Sequence, residues 1–192
     1  MTETIEQTGN TVAQPKDQLI KYLESLVKQK DRAALANLRR GLGKPPKTAM
    51  EMYPYLGQFL SNDPKYNYEN AIFIVAALFA YYPDAKNTSG NIGASLRRYF
   101  EETKSDSVEK RFVALLNAES DELPNYLRQI VGLLKSKEIA VNWEQLLKDV
   151  QFWNSDNSRT REKWARSFWG TSAGGNNQPN QDKQNTLGGE NQ

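Results

Sequence analysis

A continuous apolar segment at residues 71–82 constrains the fold of this chain more than any other feature. Its twelve residues, AIFIVAALFAYY, leave almost no polar face. That length is too short to span a bilayer, and a helix that is apolar nearly all round is buried on most of its sides. A strand is the competing interpretation, because the segment contains β-branched residues. Its alanines, its length and its helical neighbours favour a buried helix over residues 69–82 that ends at Pro83.

The rest of the chain has the periodicity of amphipathic helices, and no segment alternates as a half-buried strand would. Helices are predicted at residues 17–29, 32–40, 48–60 (broken near Pro54), 92–102, 108–118, 123–135, 143–153 and 159–169. Asp31 is a candidate N-cap for the second helix, and Asp121 for the helix at 123–135. The predicted fold is an all-α, single-domain helical bundle of roughly eight helices.

The two ends of the chain differ in composition from the predicted bundle. Residues 1–15 are polar, and residues 170–192 are rich in Gly, Asn and Gln. Neither segment has enough apolar residues to join a core, so both are predicted to be disordered tails around a helical domain at residues 16–169. The N-terminus has neither the basic start nor the apolar run of a signal peptide, and a cytoplasmic protein is expected.

The chain contains no cysteine and no histidine. This excludes disulfides, thiolate or imidazole metal sites and histidine-based catalytic triads. Carboxylates could still hold a hard cation, but the neighbouring pairs at 101–102 and 121–122 point in different directions on a helix. A carboxylate-based, metal-dependent enzyme is therefore a disfavoured alternative. We expect a protein that is not an enzyme and has no metal and no cofactor.

Basic residues are the remaining candidates for function. Residues 16–169 hold 24 Lys and Arg against 19 Asp and Glu. The candidates for contacting phosphate are Arg39, Arg40, Arg97, Arg98, Lys110, Arg111, Arg128, Lys135 and the face formed by Arg159, Lys163 and Arg166. Surface helices ordinarily carry such residues, so ordinary solvated positions are the competing interpretation. The prevalence of arginine mildly favours phosphate recognition.

A turn at residues 41–47, GLGKPPK, superficially resembles a phosphate loop. The G-x-x-x-x-G-K-[ST] spacing is absent, no strand precedes the turn, and two prolines follow the lysine. The segment is therefore interpreted as a basic loop and not as a nucleotide site.

An ordered series of short motifs resembles a known family. The motifs are LRR at 38–40, MYPYL at 52–56, IGASLRR at 92–98, EKRFVALL at 109–116, YLRQIV at 126–131, VNW at 141–143, the segment 147–153 and WARSFW at 164–169. Together they resemble the small subunit (CasB family) of the type I-E CRISPR Cascade complex, over residues 16–169. No single motif is specific; the resemblance rests on their order.

The resemblance implies an all-helical, non-enzymatic subunit of an RNA-guided surveillance complex in antiviral defence. It implies a basic surface that supports the guide RNA–target assembly and the displaced, non-target DNA strand, while base pairing reads the sequence. The implied partners are CRISPR RNA, target DNA, other Cascade subunits and a second copy of this chain, with no membrane. The residues carried over as nucleic-acid-binding are Arg39, Arg40, Arg97, Arg98, Lys110, Arg111 and Arg128.

A protein-interaction scaffold is the alternative function. In that case the arginines would pair with acidic side chains of partner proteins. Arginines on one continuous face would favour nucleic-acid binding, whereas scattered arginines would favour the scaffold.

Overall fold

The structure, a computed structural model, describes residues 15–60, 66–155 and 159–170. These residues form nine α-helices and no strand: α1 (Pro15–Lys28), α2 (Arg32–Arg39), α3 (Tyr53–Leu56), α4 (Tyr66–Tyr81), α5 (Ile92–Thr103), α6 (Asp106–Asn117), α7 (Leu123–Ser136), α8 (Trp143–Gln151) and α9 (Thr160–Trp169). The predicted all-α fold is confirmed. The predicted disordered tails lie outside the described residues, apart from Pro15 and Gly170. No helix in the described ranges has both the length and the apolar character needed to cross a bilayer.

Helix α4 is the buried centre of the bundle. Every side chain from position 71 to position 80 is buried, and the helix packs against α1, α2, α7 and α8. This confirms the prediction from the apolar segment. Lys135 on α7 contacts the C-terminal end of α4. Its Nζ donates to the Tyr81 carbonyl at 2.7 Å and lies 4.4 Å from the centre of the Tyr81 ring. A cation is favourable at that helix end, and Lys135 therefore has a structural role.

Of the two predicted helix caps, one is confirmed and one is wrong. The Asp31 carboxylate accepts from the Ala34 amide at 2.9 Å, so the predicted N-cap of α2 is confirmed. The predicted cap at Asp121 is wrong, because Glu122 occupies the N-cap position of α7 without a side-chain capping bond. Asp121 instead accepts from the neighbouring amide of Glu122 at 3.0 Å. The backbone conformation before and after a residue decides whether it is the N-cap. The residue type alone does not specify that conformation.

The segment predicted as a broken helix at 48–60 forms three short pieces. A 3-10 turn at Met50–Met52 leads into the single turn of α3, and a second 3-10 turn at Gly57–Phe59 follows it. Pro54 lies in the first turn of α3. The missing amide hydrogen of proline costs nothing there, and so Pro54 fits the first turn of the short helix that begins at Tyr53.

Helices α5 and α9 cross unusually closely. A Cβ atom built on Gly93 would lie 2.1 Å from the Trp164 carbonyl oxygen, so only glycine permits this approach. Asn91 joins the same two helices: its Oδ1 accepts from the Ala94 amide at 3.2 Å, and its Nδ2 donates to Ser167 Oγ at 3.0 Å. These contacts fix α9, and the C-terminal end of the described chain, against α5.

A buried carboxylate joins α8 to α9. Asp149 accepts from Trp164 Nε1 at 2.6 Å and from Gln145 Nε2 at 2.8 Å. Burial raises the pKa of the Asp149 carboxyl above its ordinary value, although both hydrogen bonds act to lower it. Trp164 packs on Trp153 with ring centres 5.1 Å apart. The Asp149 hydrogen bond orients Trp164, whereas Trp153 donates from Nε1 to the Ala118 carbonyl at 3.0 Å.

Candidate nucleic-acid interface

Two of the predicted residues lie at the C-terminal end of α2. Arg39 is exposed, and its Nε donates to the Leu35 carbonyl of its own helix at 3.3 Å. Arg40 is also exposed and forms an ion pair with Glu51, with 3.1 Å between Nη1 and Oε1. An exposed ion pair of this kind contributes little to stability and is readily exchanged for another anion. Both guanidinium groups are therefore accessible to a phosphate.

Arg128 of α7 lies against the basic loop that follows α2. A Cβ atom built on Gly43 would lie 3.0 Å from Cδ of Arg128 and 3.5 Å from its Nη1. Gly43 also has a φ of +71°, so it provides both the turn and the space for the arginine. This contact brings Arg128 beside the exposed Lys44. Lys47 is different, because its ammonium pairs with the buried Glu69 and anchors the loop to α4.

The two arginines of α5 point to different parts of the molecule. Arg97 pairs with Glu101 at 2.9 Å, and its Nη1 also donates to the Gly170 carbonyl just beyond α9. Arg98 donates from Nη1 to Thr88 Oγ1 at 2.9 Å, in the loop before α5. Both side chains are therefore engaged with the protein itself, and they do not lie on one face.

Lys110 and Arg111 project from α6 and are exposed. Within the described residues neither forms an ion pair. The helical positions four residues before and after Arg111 are Ser107 and Leu115, so no carboxylate neutralises it along its own helix. Helix α6 packs against α7, and these two cations are thus carried by the helix next to the one that bears Arg128.

The predicted residues therefore fall into two classes. Arg40, Arg97 and Arg98 have side-chain or backbone partners away from their own turn of helix. The members of the second class are exposed and have no ion pair in the described ranges, and they are Arg39, Lys110, Arg111 and Arg128. The second class lies on α2, α6 and α7, and an external anion would displace no counter-ion of the described residues there.

The basic face predicted on α9 is only partly assembled. Arg159 and Lys163 line a cavity of ≈ 400 Å³ together with Lys148 of α8. Arg166 is instead paired with Glu162 one turn earlier, at 2.6 Å. Asp149 also lines this cavity, which makes its charge mixed.

Sequence reasoning missed two features near this surface. Lys104 ends α5 in the left-handed conformation, with a φ of 51°, and is exposed. Trp169 ends α9 with 44 % of its surface exposed, although tryptophan at helical spacing predicts a core position. Its place as the last residue before Gly170 and a polar tail was the only available signal.

No cluster of three or more carboxylates that could hold a metal ion occurs in the part of the chain that the structure describes. Arg161, which no motif singled out, also has a structural explanation. Its guanidinium lies 4.9 Å from the centre of the Trp153 ring and donates to the Ala118 carbonyl at 3.0 Å. Arg161 thus belongs to the packing of the bundle and not to the set of exposed cations.

The structure is thus a helical bundle with exposed cations on several helices, an arrangement common in binding and assembly proteins. Comparison with known proteins identifies the family of this chain. Residues 34–169 match the family model described as CRISPR-associated protein Cse2. The chain belongs to this family, which confirms the resemblance found from the ordered motifs.

Similar proteins span nearly the same length. The CRISPR-associated protein Cse2 of Thermus thermophilus is 34 % identical over 163 residues, which are 83 % of this chain and 92 % of that protein. The crystal structure of CasB from Thermus thermophilus is 33 % identical with a TM-score of 0.72, covering 82 % of this chain and 99 % of that one. A chain of a CRISPR RNA-guided surveillance complex is 25 % identical with a TM-score of 0.69, covering 80 % and 91 %.

Proposed function

We propose that this chain is a non-catalytic, structural subunit of an RNA-guided CRISPR surveillance complex. Its basic surface supports the guide RNA–target assembly and the displaced DNA strand by holding phosphates without reading sequence. Its partners are CRISPR RNA, target DNA, other subunits of the complex and a second copy of this chain. A similar chain that is part of a surveillance complex supports the structural role.

The observation that carries the nucleic-acid role is the set of exposed cations that lack a counter-ion in the described residues. Phosphate contacts from Lys and Arg supply most of the sequence-independent affinity for nucleic acid. Arg39 lies at the end of α2, just before the basic loop, and Arg128 contacts Gly43 within that loop. The neighbouring helix α6 adds Lys110 and Arg111. We infer that a strand backbone runs over α2, α7 and α6.

The arginines that already contact other parts of the protein are expected to contribute less to strand binding. Arg40 can exchange Glu51 for a phosphate, because the pair is exposed. Arg97 and Arg98 would have to leave Gly170 and Thr88. We therefore assign them auxiliary contacts, made at the edge of the bound strand.

Salt dependence of single-stranded DNA binding tests this function. The full-length chain is incubated with a labelled oligonucleotide at increasing salt, and the retained fraction is measured on a filter. Each phosphate contact adds about 0.7 to the log–log slope, so four contacts predict a slope of about −3. A matched oligonucleotide with uncharged methylphosphonate links is the control and is expected not to bind.

A flat salt dependence would contradict the proposal. If the arginines instead pair with acidic partner proteins, the chain would bind neither oligonucleotide, but its incorporation into the complex would weaken with salt. A salt-dependent interaction with the oligonucleotide thus supports nucleic-acid binding, whereas a salt-dependent interaction with partner proteins alone supports the scaffold.

A further inference from the structure

Trp169 is the one tryptophan of the four in this chain that is exposed. Trp143, Trp153 and Trp164 are at most 4 % exposed, whereas Trp169 is 44 % exposed. A single exposed apolar side chain is common on protein surfaces. The case for a function therefore depends on how Trp169 is held and on what surrounds it.

Contacts on two sides fix the orientation of the Trp169 ring. Its Nε1 donates to Glu109 Oε1 at 2.7 Å. Its ring centre lies 5.2 Å from that of Phe112 and 5.0 Å from that of Phe168, which meets it nearly at a right angle. The hydrogen bond from Arg97 to Gly170 secures the next residue. The exposed face of the indole is therefore preorganised, and a ligand would meet little entropic cost in ordering it.

A cavity of ≈ 290 Å³ lies beside Trp169. Its apolar walls are the rings of Phe100, Phe168 and Trp169. Its polar rim carries two cations, Arg97 and Lys104, and two carboxylates, Glu101 and Glu109. The formal charges cancel, and the rim offers both hydrogen-bond donors and acceptors.

This chemistry favours a planar, neutral group over a phosphate. Because the formal charges of the rim cancel, it offers a phosphate no net attraction, while aromatic walls suit a flat ring with a polar edge. The volume is at the small end for ligand sites, which suits a single ring system. An unpaired nucleobase has these properties, and base stacking on aromatic side chains is a general way to bind single strands.

The position of the cavity also fits a bound strand. Glu109, which orients Trp169, lies on α6, the same helix that carries Lys110 and Arg111. We propose that Trp169 and the adjoining cavity stack one unpaired base of the single strand whose phosphates Lys110 and Arg111 hold. This inference rests on the proposed function, and it adds a contact with bases to a surface otherwise assigned to backbone.

The test compares two oligonucleotides of equal length and equal phosphate count, one of thymidines and one wholly abasic. The full-length chain should bind the thymidine strand roughly 10-fold more tightly, because only that strand can stack. Trp169→Leu should bind both strands with the affinity that the wild type has for the abasic strand, and its salt slope should not change. Trp169→Phe keeps a ring and should keep most of the preference.

Acrylamide quenching of tryptophan fluorescence gives an independent measurement, since Trp169 is the exposed tryptophan. Thymidine strands should protect it from quenching, and abasic strands should not. This readout uses the wild-type chain, so it does not depend on the folding of a variant.

The outcomes separate this inference from the proposed function. Equal wild-type affinity for the two strands would overturn the stacking inference and leave phosphate binding intact. Failure to bind either strand would contradict the proposed function itself. Trp169 already shielded from acrylamide in the free chain would also overturn the inference, because the chain or a second copy would then occupy the face.

Discussion

Asp149 shows how one buried polar residue connects two helices and responds to pH. It lies between α8 and α9 with 6 % of its surface exposed, and it accepts hydrogen bonds from Trp164 and Gln145. The pKa of the Asp149 carboxyl is raised in the folded chain. As the pH falls, the folded state therefore binds a proton at Asp149 at a higher pH than the unfolded state does. At neutral pH the charged Asp149 carboxylate thus lowers the free energy of unfolding. Protonation at lower pH removes this cost.

Replacing this carboxyl isolates its contribution. The side chain of Asp149→Asn cannot titrate. The wild type should therefore gain stability relative to the variant as the pH falls from about 7 to about 4. The expected gain is about 1.4 kcal/mol for each unit by which the pKa of Asp149 is raised. Urea unfolding of both proteins at the two pH values measures the change. A difference in unfolding free energy that stays constant with pH would contradict the raised pKa of Asp149.

The cations show what a single residue reveals from sequence and what it does not. Arg97 and Arg98 are consecutive on α5, so helical angles alone direct their side chains away from each other. Such angles cannot indicate that Arg97 binds the Gly170 carbonyl, 73 positions further along the chain. Partners distant in sequence come from the packing of helices. For this reason the division into engaged and unpaired cations required the structure.

At the scale of elements, the crossing of α5 and α9 is the tightest packing constraint. The Gly93 position is closed to a side chain by the backbone of Trp164, and a carbonyl cannot move as a flexible side chain can. The region also carries the aromatic residues Phe168 and Trp169 at the end of α9. A change here should affect both stability and the proposed base contact.

The matched pair Gly93→Ala and Gly132→Ala tests this crossing. Gly93→Ala should destabilise the fold by about 1–3 kcal/mol, because the added methyl group overpacks the contact with Trp164. Gly132 lies within α7, where an added Cβ would have an ordinary contact of 3.5 Å with the Tyr81 hydroxyl. Its replacement should be neutral or stabilising by about 0.5–1 kcal/mol. Denaturant unfolding gives both values, and equal effects would contradict the close crossing.

Elements were predictable where the signal was local and strong. The apolar segment at 71–82 predicted the buried α4, because a helix without a polar face has only one stable location. Asp31 predicted the start of α2 for a similarly local reason. The 3-10 turns around α3 and the cap of α7 were not predicted, since small differences in backbone geometry decide them.

At the scale of the whole molecule, the fold class followed from helical periodicity and the family from the order of short motifs. The arrangement of the surface did not, because it depends on which helices become neighbours. Arg128 lies 85 positions after Gly43 in the sequence, yet its side chain packs on that glycine. The sequence therefore offers a set of candidate residues, whose role stays a prediction, but not their arrangement on the surface.

Charge reversal on two helices tests the central claim, that this surface holds nucleic-acid backbone, most directly. Arg111→Glu/Arg128→Glu changes two exposed residues that form no ion pair in the described ranges. The control Lys21→Glu/Lys28→Glu makes the same change of charge at exposed positions on α1, a helix that carries none of the proposed contacts. Circular dichroism and thermal melting verify that both variants remain folded.

Retention of single-stranded DNA by these two variants is the deciding measurement. The account predicts that Arg111→Glu/Arg128→Glu loses at least roughly 10-fold in affinity and flattens the salt slope by about 1.4, the contribution of two phosphate contacts. The control should lose much less, and both should melt close to the wild type. Equal losses in the two variants, or undiminished binding by Arg111→Glu/Arg128→Glu, would contradict the account.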